Sequence, residues 1–424
     1  MVGVLVCAYS LSFADRMVMS LLIGPIKHDL GTSDFQVSLL IGLAFAFFYV
    51  LMGLPCGYLA DRMNRRNLIA CGVLLWSLAT GACGIAGTFA TLFLARMAVG
   101  AAEATLSPSA YSMIADSFPP QRLGRAISVY VLGNPLGTGA ALALGGAMIG
   151  ALAQIPVVHV PLLGDTAGWR VVFLALFLPG VLLSALILGT VREPARRIRP
   201  ERIGKALHWS EAPRYIAGHG RAFFCQFGGT CLLSLAVYGS MAWIPAFFER
   251  SHGMPAAQIG VYFGAMLGIG GIAGLLFGGY LGDLLLKSGC SDAYPRVMAG
   301  AAIAAIAPGV AMCLVADTGA ALVLTAVTLT ITGMTTGISA AAVQHITPSH
   351  LRGQVGAIYI LAASVSGIGL GPSFVAFLTE FVFGDEAALR YALAALAAVT
   401  LPLAAILLIA GLPFYRKCAA ARID

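Results

Sequence analysis

The chain has 424 residues, of which 59% are hydrophobic and only 10% charged, with a formal net charge of +7. A soluble domain carries roughly 25% charged residues, so these proportions exclude a soluble globular enzyme and point to a chain solvated by lipid. The basic residues lie between apolar stretches and form no aromatic-interleaved basic face, which excludes nucleic-acid binding.

A spanning helix needs roughly 20 apolar residues. Twelve such stretches are predicted, at about 2–24, 35–59, 67–87, 90–116, 123–151, 169–191, 220–247, 257–282, 295–315, 319–345, 353–382 and 388–413. The first is not a secretory leader, because it lacks a basic start and Asp15-Arg16 interrupts its apolar run. Its abrupt start at Met1-Val2-Gly3 suggests that a short cytoplasmic segment precedes it. With the N-terminus in the cytoplasm, the inner loops and C-terminal tail hold 19 of the 25 Lys and Arg residues, and the outer side holds Lys27, Arg170, Arg250 and Arg390. Positive residues accumulate on the cytoplasmic side, so both termini are expected there, in a multi-pass protein of the cell (inner) membrane.

In the first span Asp15 and Arg16 are adjacent. A charge at the centre of a span costs at least ~2.5–3.5 kcal/mol and marks a functional site by default. Neighbouring helical residues point about 100° apart, so the two require different surroundings. After the second span comes Gly57-Tyr58-Leu59-Ala60-Asp61-Arg62, followed by Arg65 and Arg66. In the fourth span Arg96 and Glu103 are seven residues apart, on one helical face and about 10 Å apart along the axis. Glu103 falls near the midplane. In the fifth span Gly133, Gly137, Ala141 and Gly145 recur every four residues, as do Gly270, Gly274 and Gly278 in the eighth; both read as small-residue helix packing.

The polar stretch 192–219 is rich in arginine and divides the chain, giving domains at 1–191 (six helices), 192–219 (a cytoplasmic linker) and 220–424 (six helices and a short tail). The halves repeat one another. Gly57 to Asp61 recurs as Gly279-Tyr280-Leu281-Gly282-Asp283, and Pro119, Gly124 and Tyr130 recur as Pro348, Gly353 and Tyr359. Two copies in one orientation suit a carrier whose halves rock about a central site. Tyr130, Tyr359, Gln226, Tyr238, Trp243, Thr335 and Thr336 are candidates to line it, while His345 and His350 read as interfacial. The nine cysteines show no CxxC spacing and read as small packing residues. No metal, cofactor or catalytic group is expected, and the protein is expected to be a monomer.

The Gly57–Arg66 motif resembles the cytoplasmic loop motif of the major facilitator superfamily. That resemblance implies an all-α membrane protein with the major-facilitator fold, twelve transmembrane helices in two pseudo-symmetric six-helix halves. It also implies a gating role for Gly57, Asp61, Arg62, Arg65, Arg66 and Asp283, with Asp61 latching the cytoplasmic side partly through a helix N-terminus. A carboxylate there gains dipole and N–H stabilisation. Phe13-Ala14-Asp15-Arg16, Gly100-Ala101-Ala102-Glu103-Ala104, Ala115-Asp116-Ser117-Phe118-Pro119-Pro120 and Gly133-Asn134-Pro135-Leu136-Gly137 resemble Spinster-type lipid transporters. Small-organic-anion/proton symporters of the same superfamily also carry Asp-Arg in the first helix and Glu in the fourth.

The expected function is proton-coupled, alternating-access transport of an anionic amphiphile, such as a sphingosine-phosphate-like or lysophospholipid-like molecule; small organic anions such as sugar acids are the alternative. Arg16 would hold the anion, since guanidinium matches phosphate or carboxylate bidentately. Arg96, Glu103, Tyr130 and Tyr359 would complete the substrate site, and Asp15 and Glu103 would carry protons. The partners expected are the amphiphile, protons and membrane lipids.

Overall fold

The computed structural model describes residues 1–152, 158–160, 164–196, 211–348 and 351–420. Among them twelve helices are long and apolar enough to cross a membrane. We label them in chain order: α1 (Val2–Leu21), α2 (Asp34–Arg62), α3 (Arg65–Ile85), α4 (Phe89–Ser117), α5 (Arg125–Leu152), α6 (Gly168–Thr190), α7 (Gly220–His252), α8 (Ala256–Lys287), α9 (Ala293–Leu314), α10 (Thr318–Ile346), α11 (Arg352–Val382) and α12 (Glu386–Ala420). Each predicted span coincides with one of these helices. A small antiparallel pair, β1 (Val158–Val160) and β2 (Gly164–Thr166), joins α5 to α6 and was not anticipated from the sequence. Of the predicted 192–219 linker, 197–210 lie outside the described residues, as does His350. The part at Glu211–Gly218 is a short helix.

The polarity of the surface is that of a membrane protein. Leu144 and Ile269 are 72% and 75% exposed, whereas Asp15, Arg96 and Glu103 are almost fully buried. Lipid accepts the exposed side chains, and the charges must find partners within the protein. The helix starts follow local chemistry. Ser33 and Gln36 form a capping box at the head of α2, and Thr88 and Thr91 form one at the head of α4. Asn64 caps α3 and Asp317 caps α10 by accepting from backbone N–H groups. These contacts satisfy donors that have no intrahelical partner.

Two compact units emerge from the packing. The first contains Met1–Ile203 and Ile244–Gly264; the second contains Gly204–Trp243 and Ala265–Asp424. The chain therefore changes unit within α7, between Trp243 and Ile244, and within α8, between Gly264 and Ala265. Both crossings coincide with a defect in the helix ladder. Pro245 has no N–H for the carbonyl one turn earlier, and Met266–Gly270 form a π-helical turn.

Within the first unit α5 lies against α1 so closely that a Cβ on Gly137 would collide with the Ser10 carbonyl. A Cβ on Gly100 of α4 would likewise strike the Phe45 carbonyl of α2, and one on Gly260 of α8 would strike the Leu142 carbonyl of α5. In the second unit Gly274 and Gly278 of α8 press against the backbone of Thr330 and Met334 in α10. The small-residue stripes are thus packing seams, as expected.

Candidate functional site

Ser12 and Arg16 lie one turn apart on α1, on the same face. Both donate to one oxygen of Glu103 on α4: Ser12 Oγ at 2.8 Å and Arg16 Nε at 2.8 Å, with Arg16 Nη2 beside it. The second oxygen, Oε1, is buried and has no hydrogen-bond partner among the described residues. Glu103 occupies the last helical position before a break at Ala104–Thr105, where α4 resumes at Leu106.

Asp15 faces another way, as the 100° step requires. Its Oδ2 accepts from Thr80 Oγ1 of α3 at 3.0 Å and stands 3.6 Å from Arg96 Nη1. Arg96 is fully buried, yet among the described residues its only side-chain hydrogen bond is a long one, from Nε to the Leu40 carbonyl at 3.4 Å. Asp15 Oδ1 and both Nη groups of Arg96 have no hydrogen-bond partner among the described residues. An unmet buried donor or acceptor costs ~1–3 kcal/mol, and more when charged. The cluster therefore combines one tight pair, Arg16–Glu103, with one loose pair, Asp15–Arg96, and spare buried oxygens on both acids.

Aromatic rings enclose this cluster. The Arg16 guanidinium carbon lies 4.5 Å from the Phe45 ring centre, 4.7 Å from Tyr49 and 4.8 Å from Phe13. Ring faces attract cations more strongly once desolvated. Tyr130 of α5 is buried one layer away, stacked on Tyr9 at 4.6 Å and edge-on to Tyr111 at 5.3 Å. The structure therefore brings Asp15, Arg16, Arg96 and Glu103 together in the first unit, with Tyr130 in the adjoining aromatic layer.

The loop motif divides by role. Arg65 is buried and anchored: Nε donates to Glu193 at 2.6 Å, Nη1 to Ser112 at 2.9 Å and to Asp116, and Nη2 to the Pro194 carbonyl at 2.9 Å. The Arg66 backbone N–H donates to the other Glu193 oxygen at 2.9 Å. Arg62 is exposed and lies over the Tyr58 ring at 4.1 Å. Gly57 has open space where a side chain would go. Asp61 is exposed, with no hydrogen bond or ion pair among the described residues. In the repeat, Asp283 is exposed and accepts from the Tyr294 hydroxyl at 3.3 Å.

The second unit holds Tyr359 and a cavity of about 160 Å³. Eight of its fourteen lining side chains carry a hydroxyl, and none carries a charge. Of the sequence candidates, Tyr238, Thr335, Thr336 and Tyr359 line this cavity. Gln226 is instead buried against Thr230 and Met298, and Trp243 donates to the Pro372 carbonyl at 2.9 Å, a packing role. Outside the spans, Asp292 binds Arg416 at 2.6 Å and Arg296 at 2.8 Å. Burial alone would push its carboxyl up, but these hydrogen bonds, Arg416 first, hold it below the ordinary carboxylate value.

The sequence profile of the Major Facilitator Superfamily matches residues 5–372. The chain belongs to the major facilitator superfamily. The family and the relatives that follow are transporters, not enzymes. It is 31% identical to an MFS-type efflux pump of Mycolicibacterium smegmatis over 68% of this chain and 62% of that protein. It is 24% identical to the hexuronate transporter of Bacillus subtilis over 87% of this chain and 85% of that protein. The crystal structure of a bacterial homologue of the human lysosomal transporter Spinster, inward-facing and unoccupied, superposes with a TM-score of 0.79 at 26% identity, over 100% of this chain and 97% of that one. The Spinster likeness read from the sequence thus extends to the fold.

Several residues of this facilitator's site carried no sequence signal. Ser12, Thr80, Phe45 and Tyr49 are ordinary residues of apolar helices, visible as partners only once α1 to α4 are assembled. A one-turn spacing from Arg16 is the one clue that could have flagged Ser12. The hydroxyls of the second unit are scattered over 135 positions of sequence, from Thr230 to Ser364.

Proposed function

We propose that this facilitator is a proton-coupled, alternating-access carrier of an anionic amphiphile. The observation that carries the reading is the Arg16–Glu103 pair walled by Phe13, Phe45 and Tyr49. Protonation of Glu103 removes the charge that holds Arg16, and the freed guanidinium takes the substrate anion. Loss of the proton restores the pair and expels the anion. Proton and anion are then carried together because they act on one cation. Asp15 is the second proton carrier, with Arg96 as its loose counter-charge. The aromatic walls suit an apolar tail next to the anion, with Tyr130 and Tyr359 as further substrate contacts. Likeness to the bacterial Spinster homologue supports this reading.

The proposed topology has both termini in the cytoplasm of a cell membrane, the protein acting as a monomer with six-helix domains at 1–191 and 220–424. Arg65 anchors the loop motif, leaving the exposed Asp61 available as the latch. The deciding experiment is flux into proteoliposomes under a pH gradient with lysophospholipids of increasing chain length. Affinity rising with each added methylene, and lost in Arg16→Ala, supports the proposal. Flat affinity along the series with tight binding of a short sugar acid overturns it.

A second reading, a carrier of small organic acids such as sugar acids, is favoured by the hydroxyl-lined cavity of the second unit and by relatives such as the hexuronate transporter.

A further inference from the structure

The cavity of the second unit has a chemistry of its own. At about 160 Å³ it is comparable to an engineered cavity of about 150 Å³ that admits a benzene ring. Its walls come from α7, α9, α10 and α11, all within one unit. Three hydroxyls are fixed by their own helices: Thr230 donates to the Gln226 carbonyl at 2.9 Å, Thr335 to Thr332 at 2.7 Å and Ser339 to Thr336 at 3.0 Å. Tyr359 donates to Ser339 at 2.7 Å. A hydroxyl has one donor and two acceptor lone pairs, so these four oxygens keep acceptor capacity. The Thr336 and Ser364 hydroxyls make no side-chain hydrogen bond among the described residues and keep a donor as well. Directly after Ser364, α11 widens into a π-helical turn at Val365–Leu370, a distortion frequent at functional sites.

Ligand classes can be weighed against this lining. A phosphate or carboxylate would meet no cation, and an ammonium no acid. An alkyl chain would leave the donors of Thr336 and Ser364 desolvated and unmet. Mixed donors and acceptors beside a tyrosine ring match a group that itself has both, carbon bearing several hydroxyls.

We propose that this cavity is a subsite for an uncharged polyhydroxylated group, with Thr335, Ser339 and Tyr359 as its specificity-determining residues. The inference rests on reading the protein as a carrier of organic anions, and names the part of the substrate away from the charge. That group has two possible sources, the headgroup of an amphiphile or the carbon chain of a free sugar acid.

The test uses purified full-length protein in nanodiscs, because maltoside detergents carry the chemistry in question. Affinities are measured for two matched pairs. Lysophosphatidylinositol is compared with lysophosphatidic acid of the same acyl chain, and gluconate with hexanoate. In at least one pair the hydroxylated member should bind at least about tenfold tighter, since a site built to bond hydroxyls rejects analogues lacking them. Thr335→Val/Ser339→Ala should bring that ratio close to one while leaving the affinity of the dehydroxylated member unchanged. If that double variant does not fold, Tyr359→Phe serves in its place, with the same expectation.

A preference confined to the lipid pair assigns the subsite to a headgroup. One confined to gluconate keeps the subsite but overturns the amphiphile reading. No hydroxyl preference in either pair, or a preference that survives in a folded variant, overturns the subsite. If neither pair shows a preference but lysophosphatidic acid and lysophosphatidylinositol both bind tightly, the subsite falls and the amphiphile reading stands.

Discussion

Arg250 donates to both carboxylate oxygens of Asp34, through Nη1 at 2.6 Å and Nη2 at 2.9 Å. Asp34 opens α2, and Lys27 adds a third donor at 2.5 Å. One almost fully buried acid therefore ties the end of α7 to the start of α2 inside the first unit. Both cations are partly exposed, which moderates the energy. Asp34→Asn should destabilise the protein by about 1–3 kcal/mol, because two cations lose their counter-charge. Asp34→Asn/Arg250→Gln should lose less than the sum of the single variants. Melting temperatures in a double-mutant cycle check this; strict additivity would mean that the two residues do not couple.

Glu103→Gln should abolish uptake driven by a pH gradient yet retain substrate counterflow, because glutamine still accepts from Ser12 but cannot cycle a proton. Arg16→Ala should lose binding itself. Asp15→Asn should weaken proton-driven uptake by the same logic. Proteoliposome flux with and without a gradient distinguishes these outcomes, and undiminished gradient-driven uptake in Glu103→Gln would remove that residue from coupling.

Two arginines of the loop motif should differ sharply. Arg65 makes four side-chain contacts with residues of α4 and the segment after α6, in a fork that lysine cannot reproduce. Arg65→Lys should cost about 1–3 kcal/mol of stability. Arg62→Lys, at an exposed position over Tyr58, should cost under ~0.5 kcal/mol. Thermal denaturation of the two variants is the comparison.

Asp292 should give an acid-sensitive component of stability. Its folded carboxyl value is lowered, so its contribution is complete above the unfolded value of about 3.9. It is lost as pH falls through the lower folded value. Arg296 and Arg416 are about half exposed, so the effect should be ~1 kcal/mol or less. Asp292→Asn should flatten that part of the melting-temperature profile below pH 4 and lower stability at neutral pH.

The sequence exposed the spans and the buried charges for one reason: lipid tolerates neither polar backbone nor stray charge. Asp15, Arg16, Arg96 and Glu103 therefore stand out in apolar helices. The same reasoning fails at helix ends, where water lowers the cost of charge, so Asp34, Lys27 and Arg250 read as ordinary loop residues. It also fails for hydroxyls. Ser339 satisfies its own backbone and leaves no trace in hydropathy, whereas Thr335 stands among the candidates to line a central site. The change of unit within α7 and α8 was invisible too, since Pro245 and the glycines near Met266 look like the other small residues of packed spans.

The Arg16–Glu103 pair also bears on how the chain enters its membrane. Glu103 is encoded 87 residues after Arg16, and Thr80 65 residues after Asp15. At ~5–20 residues per second, a ribosome delivers the partner of Arg16 roughly 4–17 s later. Until then α1 exposes two charges that each cost at least ~2.5–3.5 kcal/mol at mid-span. The translocon must therefore retain α1, or leave it partly inserted, until α4 emerges. Nascent chains truncated before Glu103 should show α1 incompletely inserted by glycosylation mapping, and chains extending past Ser117 should show it fully inserted. The first helix of this protein is then among the last of its unit to settle, and its early retention is a task for the cell's insertion machinery.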